Sequence, residues 1–337
     1  GSKEGLIREV VVESFEITDG SLTYEDRTKP GEPLKVGGFR LRVTNVVVTD
    51  PSRPIGIDLG MKLFEAAEEN LTFEANVAVD PEKKNALLDK GKLTLAGSPI
   101  LIDVSIEDYE KEKKVDAKTR ASVAMNSVYA LLPEAKKSLP PGSSLEGNLQ
   151  LDLSAKGTPE EMALTAKVDL KEAAIQYGKT FLKPAGGTLD LSLEAAYTPA
   201  GVKVRNFAFH LLSAEISGDG ALAAGAAQDL HLSLKSNPLN LKELVTLSPE
   251  NKDLDVEGTP VITFDASGPL AKTDALALAG SLNADSLRYA EYLLTGLTGN
   301  FTFAKNVASI NDLGFDLLDG RFSGSAVVDL NGEKPVW

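Results

Sequence analysis

Residues 187–194 read GTLDLSLE, and this alternation of apolar and polar residues decides the fold. Leu189, Leu191 and Leu193 occupy every second position, with polar side chains between them. A period of two places the apolar side chains on one face of a β-strand and the polar ones on the other. A sheet with one wet face is typically antiparallel, so the stretch predicts an antiparallel sheet with one apolar face.

The same alternation recurs along the whole chain, whereas helical periodicity is scarce. Only residues 126–132 and 240–247 have the pattern of short helices, each starting at an asparagine and stopping before a proline. The predicted fold is therefore mainly all-β, an elongated antiparallel curled sheet or repeating β-groove with one or two short helices. Glycine-containing turns are expected at 19–20, 29–31, 186–187, 218–220 and 319–320.

The chain contains an internal repeat. Residues 187–191 (GTLDL) resemble residues 299–303 (GNFTF) at an offset of 299 − 187 = 112, and residues 216–218 (ISG) resemble residues 322–324 (FSG) at an offset of 324 − 218 = 106. This change predicts the loss of six residues in a loop between the two matches and makes Leu191 equivalent to Phe303.

A weaker copy near the N-terminus extends the repeat. Together the copies predict three repeat units, residues 1–124, 125–238 and 239–337, in one continuous array. The sequence is expected to be a fragment of a longer protein.

Composition limits the classes of function. The chain has 337 residues, of which 42% are hydrophobic and 25% charged, and this balance is typical of a folded protein. Its net charge of −14 argues against binding to nucleic acid, which requires basic patches. Cysteine is absent, so disulfides and thiolate chemistry are excluded.

No motif in the sequence predicts catalysis, a metal or a cofactor. Residues 218–223 (GDGALA) match a dinucleotide-binding pattern, but that pattern requires a following helix, and the aligned copy has the pattern of a strand. His210 and His231 are predicted on the polar face of strands, with no cysteine or second histidine to form a zinc site. We therefore expect no enzyme activity, no catalytic residues, no metal and no cofactor.

The apolar face remains as the candidate site. Because few helices are available to cover it, the face is either the core of a sandwich or the lining of an open groove. We expect the groove to be lined by fourteen apolar residues: Leu59, Leu63, Phe73, Val77, Leu151, Leu153, Leu189, Leu191, Leu193, Phe207, Phe209, Leu232, Phe301 and Phe303.

Residues 276–330 resemble the C-terminal part of the AsmA family of Gram-negative envelope proteins. The resemblance is carried by residues 280–282 (GSL), 287–289 (LRY), 297–299 (LTG) and 319–324 (DGRFSG), and by the asparagine-containing turn that leads to residue 313. Residues 15–24 (FEITDGSLTY) are similar to a motif with which members of the family begin, and residues 131–133 (LLP) are similar to the family's helix between strands. Because these motifs are spread from residue 15 to residue 324, the resemblance covers most of the chain.

The resemblance implies a function without catalytic residues. Members of the family, with their TamB-like and YhdP-like relatives, have an inner-membrane anchor and a periplasmic β-groove. The chain is accordingly expected to be the periplasmic part of a bridge-like lipid transfer protein that carries phospholipid or another acyl lipid between the inner and outer membranes. The anchor is missing from this sequence, and envelope proteins are potential partners.

Two other classes of function compete with this one. The first is a TamB-like scaffold that assembles outer-membrane proteins and has a closed, lipid-free β core. The second is an enzyme built on a β-helix, which the period of 112 residues disfavours because β-helices repeat over far shorter segments.

Overall fold

The computed structural model describes residues 10–24, 34–48, 50, 52–63, 68–130, 139–272 and 275–331. Strands form 70% of these residues and helices 3%, which confirms the prediction of a mainly β, antiparallel protein with two short helices. Contacts divide the chain into two compact units. Unit 1 comprises Gly1–Ser138 and Asn148–Pro159, and unit 2 comprises Leu139–Gly147 and Glu160–Trp337. The division into three repeat units stays a prediction.

The described part of unit 1 is one antiparallel sheet in which sequential strands are neighbours, and its last strand, β9, pairs with β7. Its strands are β1 (Val11–Tyr24), β2 (Leu34–Val47), β3 (Ile55–Leu63), β4 (Leu71–Asp80), β5 (Asn85–Leu95), β6 (Ser98–Glu107), β7 (Lys114–Ala124) and β9 (Asn148–Thr158). Helix α1 (Met125–Ala130) follows β7 and begins one residue before the predicted start. The predicted end of this helix and the 131–133 motif lie outside the described residues.

Unit 2 contains a large and a small antiparallel sheet. The small sheet is formed by β8 (Ser144–Glu146), β11 (Ala174–Tyr177) and β12 (Phe181–Lys183), with β11 in the middle. The strands of the large sheet are β10 (Glu161–Asp169), β13 (Leu189–Thr198), β14 (Gly201–Leu211), β15 (Ala214–Ala223), β16 (Asp229–Ser236), β17 (Val256–Gly258), β18 (Val261–Pro269), β19 (Ala277–Tyr289), β20 (Tyr292–Ala304), β21 (Val307–Leu317) and β22 (Gly320–Asp329).

In the large sheet of unit 2 each strand pairs with the next one along the chain, except at β17. Strand β16 pairs directly with β18, and β17 pairs with the C-terminal part of β19, beyond the N-terminal end of β18. The connection from β16 to β17 contains helix α2 (Leu241–Val245). Asn240 caps this helix, because its side-chain oxygen accepts a hydrogen bond from the backbone N–H of Glu243 at 3.2 Å. The predicted helix at 240–247 is therefore confirmed in a shorter form.

Two of the predicted turns are wrong. Residues 19–20 lie inside β1 at an irregularity in its pairing with β2, and residues 218–220 lie inside β15. Glycine in these strands permits close approach of neighbouring groups instead of a chain reversal. The turn predicted at 319–320 is found one residue earlier, at 318–319, where it joins β21 to β22. The turn predicted at 29–31 lies outside the described residues.

The register of the hairpins corrects the position of the gap in the repeat. Ser192 faces Ala208 between β13 and β14, and Thr298 faces Gly314 between β20 and β21, so both strands are offset by 298 − 192 = 314 − 208 = 106. Leu191 is therefore equivalent to Leu297, and not to Phe303 as the sequence match predicted. The prediction failed because two alternating strands also match when they are displaced by an even number of residues.

The preceding strands have a larger offset. Val168 on β10 faces Leu191, and Ala284 on β19 faces Leu297, which gives 284 − 168 = 116. The second copy therefore lacks ten residues, not six, because 116 − 106 = 10. The shortened segment is the connection at 170–188, which corresponds to residues 286–294 in the second copy.

Candidate functional site: an apolar sheet face

In unit 1 the register brings apolar residues from all eight strands into one row across the sheet. Directly opposed residues of an antiparallel pair project from the same face, so a chain of such pairs defines a face without reference to sequence periodicity. From β1 to β9 the row consists of Ile17, Leu41, Leu59, Phe73, Leu93, Ile100, Ala121 and Leu151.

Unit 2 has two comparable rows, two residues apart, across its large sheet. We call the face that carries these rows the apolar face, in each unit separately, and the opposite side the polar face. The first row consists of Ala166, Leu193, Phe207, Gly218, Leu234, Phe264, Gly280, Phe301, Ile310 and Ala326. The second consists of Leu164, Ala195, Val204, Gly220, Leu232, Ala266, Leu278, Phe303, Ala308 and Val328.

All fourteen predicted groove residues lie on the apolar face of their own unit. Residues outside the rows are assigned to the face because they lie two positions from a row residue on the same strand or directly opposite an assigned residue. Val77, for example, faces Ile55 two positions beyond Ala75, and Phe209 faces Leu191. The structure thus brings together six of the fourteen residues in unit 1 and eight in unit 2.

The large side chains of this face are not buried. Thirteen of the fourteen predicted residues are half-buried, and Leu153 is 40% exposed. In a sandwich, mid-strand leucine and phenylalanine side chains facing a second sheet are enclosed on all sides. The exposure of these residues is instead typical of a face covered mainly by its own side chains.

Small residues form the deepest layer of the apolar face. They lie opposite large residues of neighbouring strands, as Ala75 lies opposite Ile57 and Ala266 opposite Leu232. Large side chains therefore lean over small ones while keeping part of their own surface exposed. The buried alanines of this layer are Ala75, Ala121, Ala195, Ala214, Ala266 and Ala284.

The fourteen predicted residues omit several members of the face. Phe264 and Leu278 lie in the rows and are half-buried like the predicted residues. Their strands, β18 and β19, carry the period-two signal, so the alternation of Ile262, Phe264 and Ala266 was sufficient to find this part of the face. Leu93 was missed because the bulge on β5 interrupts the alternation of that strand.

The polar face carries charged and hydrogen-bonded side chains. His210 Nδ1 lies 2.7 Å from Asp190 Oδ1 on the directly opposed residue. In unit 1, Arg40 pairs with Asp58 at 2.9 Å and with Glu69 at 3.4 Å, and these hydrogen bonds raise the pKa of the guanidinium. Such cross-strand pairs compensate the charges on the polar face.

A shallow concavity of about 560 Å³ also lies on the polar face of unit 2. It forms because the side chains there are short, including Ala221, Ala277 and Ala279, while His231 and Asp265 stand at its border. These residues are open to solvent or only partly covered, so the concavity is a surface depression between strands.

The connection at 170–188 forms a small buried cluster at one end of the strands of unit 2. Lys183 is fully buried, and its Nζ donates hydrogen bonds to the carbonyl oxygens of Lys171, Ala173 and Pro184 at 3.1, 2.7 and 3.1 Å. Burial lowers the pKa of the Lys183 ammonium, and the nearby carboxylate of Glu172 partly opposes this effect. Sequence reasoning missed this residue because lysine is almost always exposed.

Other arrangements of functional side chains were sought in the described ranges. There, no group of three or more His, Asp or Glu side chains is placed to hold a metal ion. Neither described helix is long and apolar enough to cross a membrane. The apolar face is thus the most extensive candidate site that the described residues present.

Comparisons with family models, with curated proteins and with solved structures found no match to this chain.

Proposed function

We propose that this chain is the periplasmic part of a bridge-like lipid transfer protein of the AsmA family, and that its apolar face binds the acyl chains of phospholipids or similar lipids in transit between the inner and outer membranes. The observation that carries the proposal is the exposure of the face. The apolar rows cross eight strands of unit 1 and ten of unit 2, and their leucine and phenylalanine side chains are only half-buried. Exposed apolar surface of this extent is typical of a ligand or partner site.

The chemistry of the face suits acyl chains. Its side chains are leucine, valine, isoleucine, alanine and phenylalanine, which offer contact area and no directional bonds. Burial of a methylene group contributes about 0.8 kcal/mol wherever it occurs along such a surface, so an acyl chain can move along the rows without losing a specific contact. Charged pairs such as Arg40 and Asp58 stand on the other face, and lipid headgroups would remain in water at the ends of the strands.

The alternative is a scaffold that assembles outer-membrane proteins around a closed β core. A closed core would enclose the mid-strand residues Leu193, Phe207 and Phe301, whereas each is only half-buried. This exposure favours the lipid carrier over the scaffold.

Native mass spectrometry of the purified protein tests the proposal. We expect adducts with the masses of phospholipids, which detergent-free extraction and lipid mass spectrometry should identify. A homogeneous lipid-free mass, together with an extract that contains no acyl lipid, would contradict the proposal and favour the scaffold.

A further inference from the structure

A β-bulge interrupts the pairing of β5 with β6. Leu88 faces Val104, and the next directly opposed pair is Gly91 with Ile102, so three steps along β5 meet two steps along β6. One extra residue is thereby inserted into β5. Such bulges bend a strand and increase its local twist.

The same bulge recurs at the spacing of the repeat. It lies between Val204 and Phe207 on β14, at 204 − 88 = 116, and between Ile310 and Leu313 on β21, at 310 − 204 = 106. The spacing of 106 residues is the offset found above between β14 and β21 of the second and third copies. Each of the three predicted repeat units therefore carries one bulge at an equivalent position.

The first opposed pair after each bulge, counted along the bulged strand, lies on the apolar face. It consists of one glycine and one large apolar residue. The large residue lies on the neighbouring strand in the first bulge and on the bulged strand in the other two. The pairs are Gly91 with Ile102, Phe207 with Gly218, and Leu313 with Gly324.

Backbone conformation does not require these glycines. None of the three has a positive φ, so every other residue could adopt their backbone angles. The glycine also changes strands between the first copy and the other two. What stays constant is the combination of sizes, which indicates a limit on space above the bulge.

The surroundings of the three glycines differ in how much room they leave for a side chain. A Cβ atom on Gly91 would collide with the carbonyl oxygen of Ile102, and one on Gly218 would collide with the carbonyl oxygen of Ser233. A Cβ on Gly324 would lie 3.3 Å from the ring of Phe322, so a side chain there requires this ring to move by a few tenths of an ångström. Gly324 is therefore the position at which the limit can be tested with least damage to the backbone.

We propose that each glycine–large pair sets the height of the apolar face at its bulge, so that only one of the two opposed residues beside the bulge carries a large side chain. The pairs would then be positioning residues that keep the path of the acyl chain open where the strand bends. The part of this inference that concerns lipid rests on the proposed function.

A cysteine probe tests the height of the face without lipid. The chain has no cysteine, and Ala326 is exposed on the apolar face two residues from Gly324, so Ala326→Cys is a unique label. In this background Gly324→Leu places two large residues at the bulge. We expect its reaction with a bulky fluorescein maleimide to slow about tenfold, and its reaction with N-ethylmaleimide to stay within about twofold.

Two further variants complete the test. The double variant Leu313→Gly with Gly324→Leu reproduces the arrangement of Gly91 and Ile102, and we expect it to restore the rate with the bulky reagent. Ser325→Leu adds the same side chain on the polar face and should leave that rate unchanged. The proposal is overturned if Gly324→Leu slows the reaction no more than Ser325→Leu does, or if the double variant is as slow as the single one.

Should Gly324→Leu not fold, as judged by circular dichroism, Leu313→Gly provides the opposite change. Two glycines at the bulge should increase the rate with the bulky reagent, and an unchanged rate would overturn the proposal.

Lipid measurements separate the inference from the proposed function. If the unmodified protein carries no phospholipid, the proposed function fails while the labelling result stands. If it carries phospholipid, Gly324→Leu should retain less than about half as much, and the double variant should regain the original amount. Full retention by Gly324→Leu would show that the height of the face does not govern lipid binding.

Discussion

Lys183 Nζ lies 2.7 Å from the carbonyl oxygen of Ala173, and both residues are fully buried at one end of the strands of unit 2. The same ammonium also donates to the carbonyl oxygens of Lys171 and Pro184. One cation thus satisfies three backbone acceptors of the connection at 170–188, the segment that is ten residues shorter in the following copy.

Replacement of this lysine should destabilise unit 2. Lys183→Met keeps the aliphatic stem and leaves three carbonyl oxygens without their donor, so we expect a loss of about 2–4 kcal/mol in the free energy of unfolding. Urea denaturation followed by circular dichroism measures it. Lys179→Met, at an exposed lysine of the same connection, is the control and should change stability by less than about 0.5 kcal/mol. Equal stability of the two variants would refute the buried-donor explanation.

Gly280 should tolerate no side chain. A Cβ atom there would collide with the carbonyl oxygen of Thr263 and with the ring of Phe301, which lies across the glycine. Gly280→Ala is therefore expected to cost about 1–3 kcal/mol of stability. A matched change on the next strand, Gly299→Ala, would meet only Leu313 Cδ1 at 3.5 Å and should be neutral or slightly stabilising. A reversed order of the two unfolding midpoints would contradict the packing described for this face.

Acid should remove the contribution of the ion pairs that Arg288 forms with two carboxylates. Arg288 donates to both carboxylate oxygens of Asp255, at 2.6 and 2.7 Å, and these bonds lower the pKa of Asp255. Arg288 also donates to Glu257 at 3.3 Å, and the hydrogen bonds from Lys242 and Arg288 lower the pKa of this carboxyl as well. A carboxylate with a lowered pKa stabilises the folded state above its unfolded value, and this contribution is lost as the pH falls through the lowered pKa. The stability difference between the unmodified protein and Arg288→Gln should therefore be present at neutral pH and shrink as the pH falls through the lowered pKa. A difference that is constant with pH would exclude this role of the pairs.

The exposed edge of β1 should promote self-association. Among the described strands β1 pairs with β2 alone, and Val11 and Val12 are 48% and 41% exposed. A long apolar edge strand is a template for pairing with another chain, and a lysine on it disfavours such pairing. We expect concentration-dependent association in analytical ultracentrifugation that Val12→Lys weakens. Identical association of both proteins would place the contact elsewhere.

The apolar face and the irregularities within it differ in how well sequence predicts them. Alternation correctly predicted that the fourteen residues share one face of their unit, because the period of two is kept in every register that pairs apolar with apolar positions. It misplaced Leu191 relative to Phe303 for the same reason, since a shift by an even number of residues keeps the pattern. Bulges such as the one at residues 88–91 add single residues that alternation does not detect. The burial of Lys183 depends on three backbone carbonyls that only the folded chain brings together.

A charge on the apolar face should interfere with lipid binding more than with folding. Leu191 faces Val168 and Phe209 and keeps contact with solvent, so Leu191→Asp should cost only about 1–2 kcal/mol while it abolishes lipid carriage. Ser217→Asp adds the same charge on the polar face, opposite Lys235, and should affect neither property. Cellular complementation and the melting temperature are compared for both variants. Complete unfolding of Leu191→Asp would indicate a closed core.

Site-specific photocrosslinking in cells tests the central claim most directly. A photoreactive phenylalanine analogue at Leu193 projects from the apolar face, and the same analogue at the adjacent Ser192 projects from the polar face of the same strand. If acyl chains lie along the apolar face, irradiation should attach phospholipid to the protein labelled at Leu193 and not to the protein labelled at Ser192, as detected by mass spectrometry of the purified adducts. Equal lipid attachment at both positions, or none at Leu193, would contradict the account.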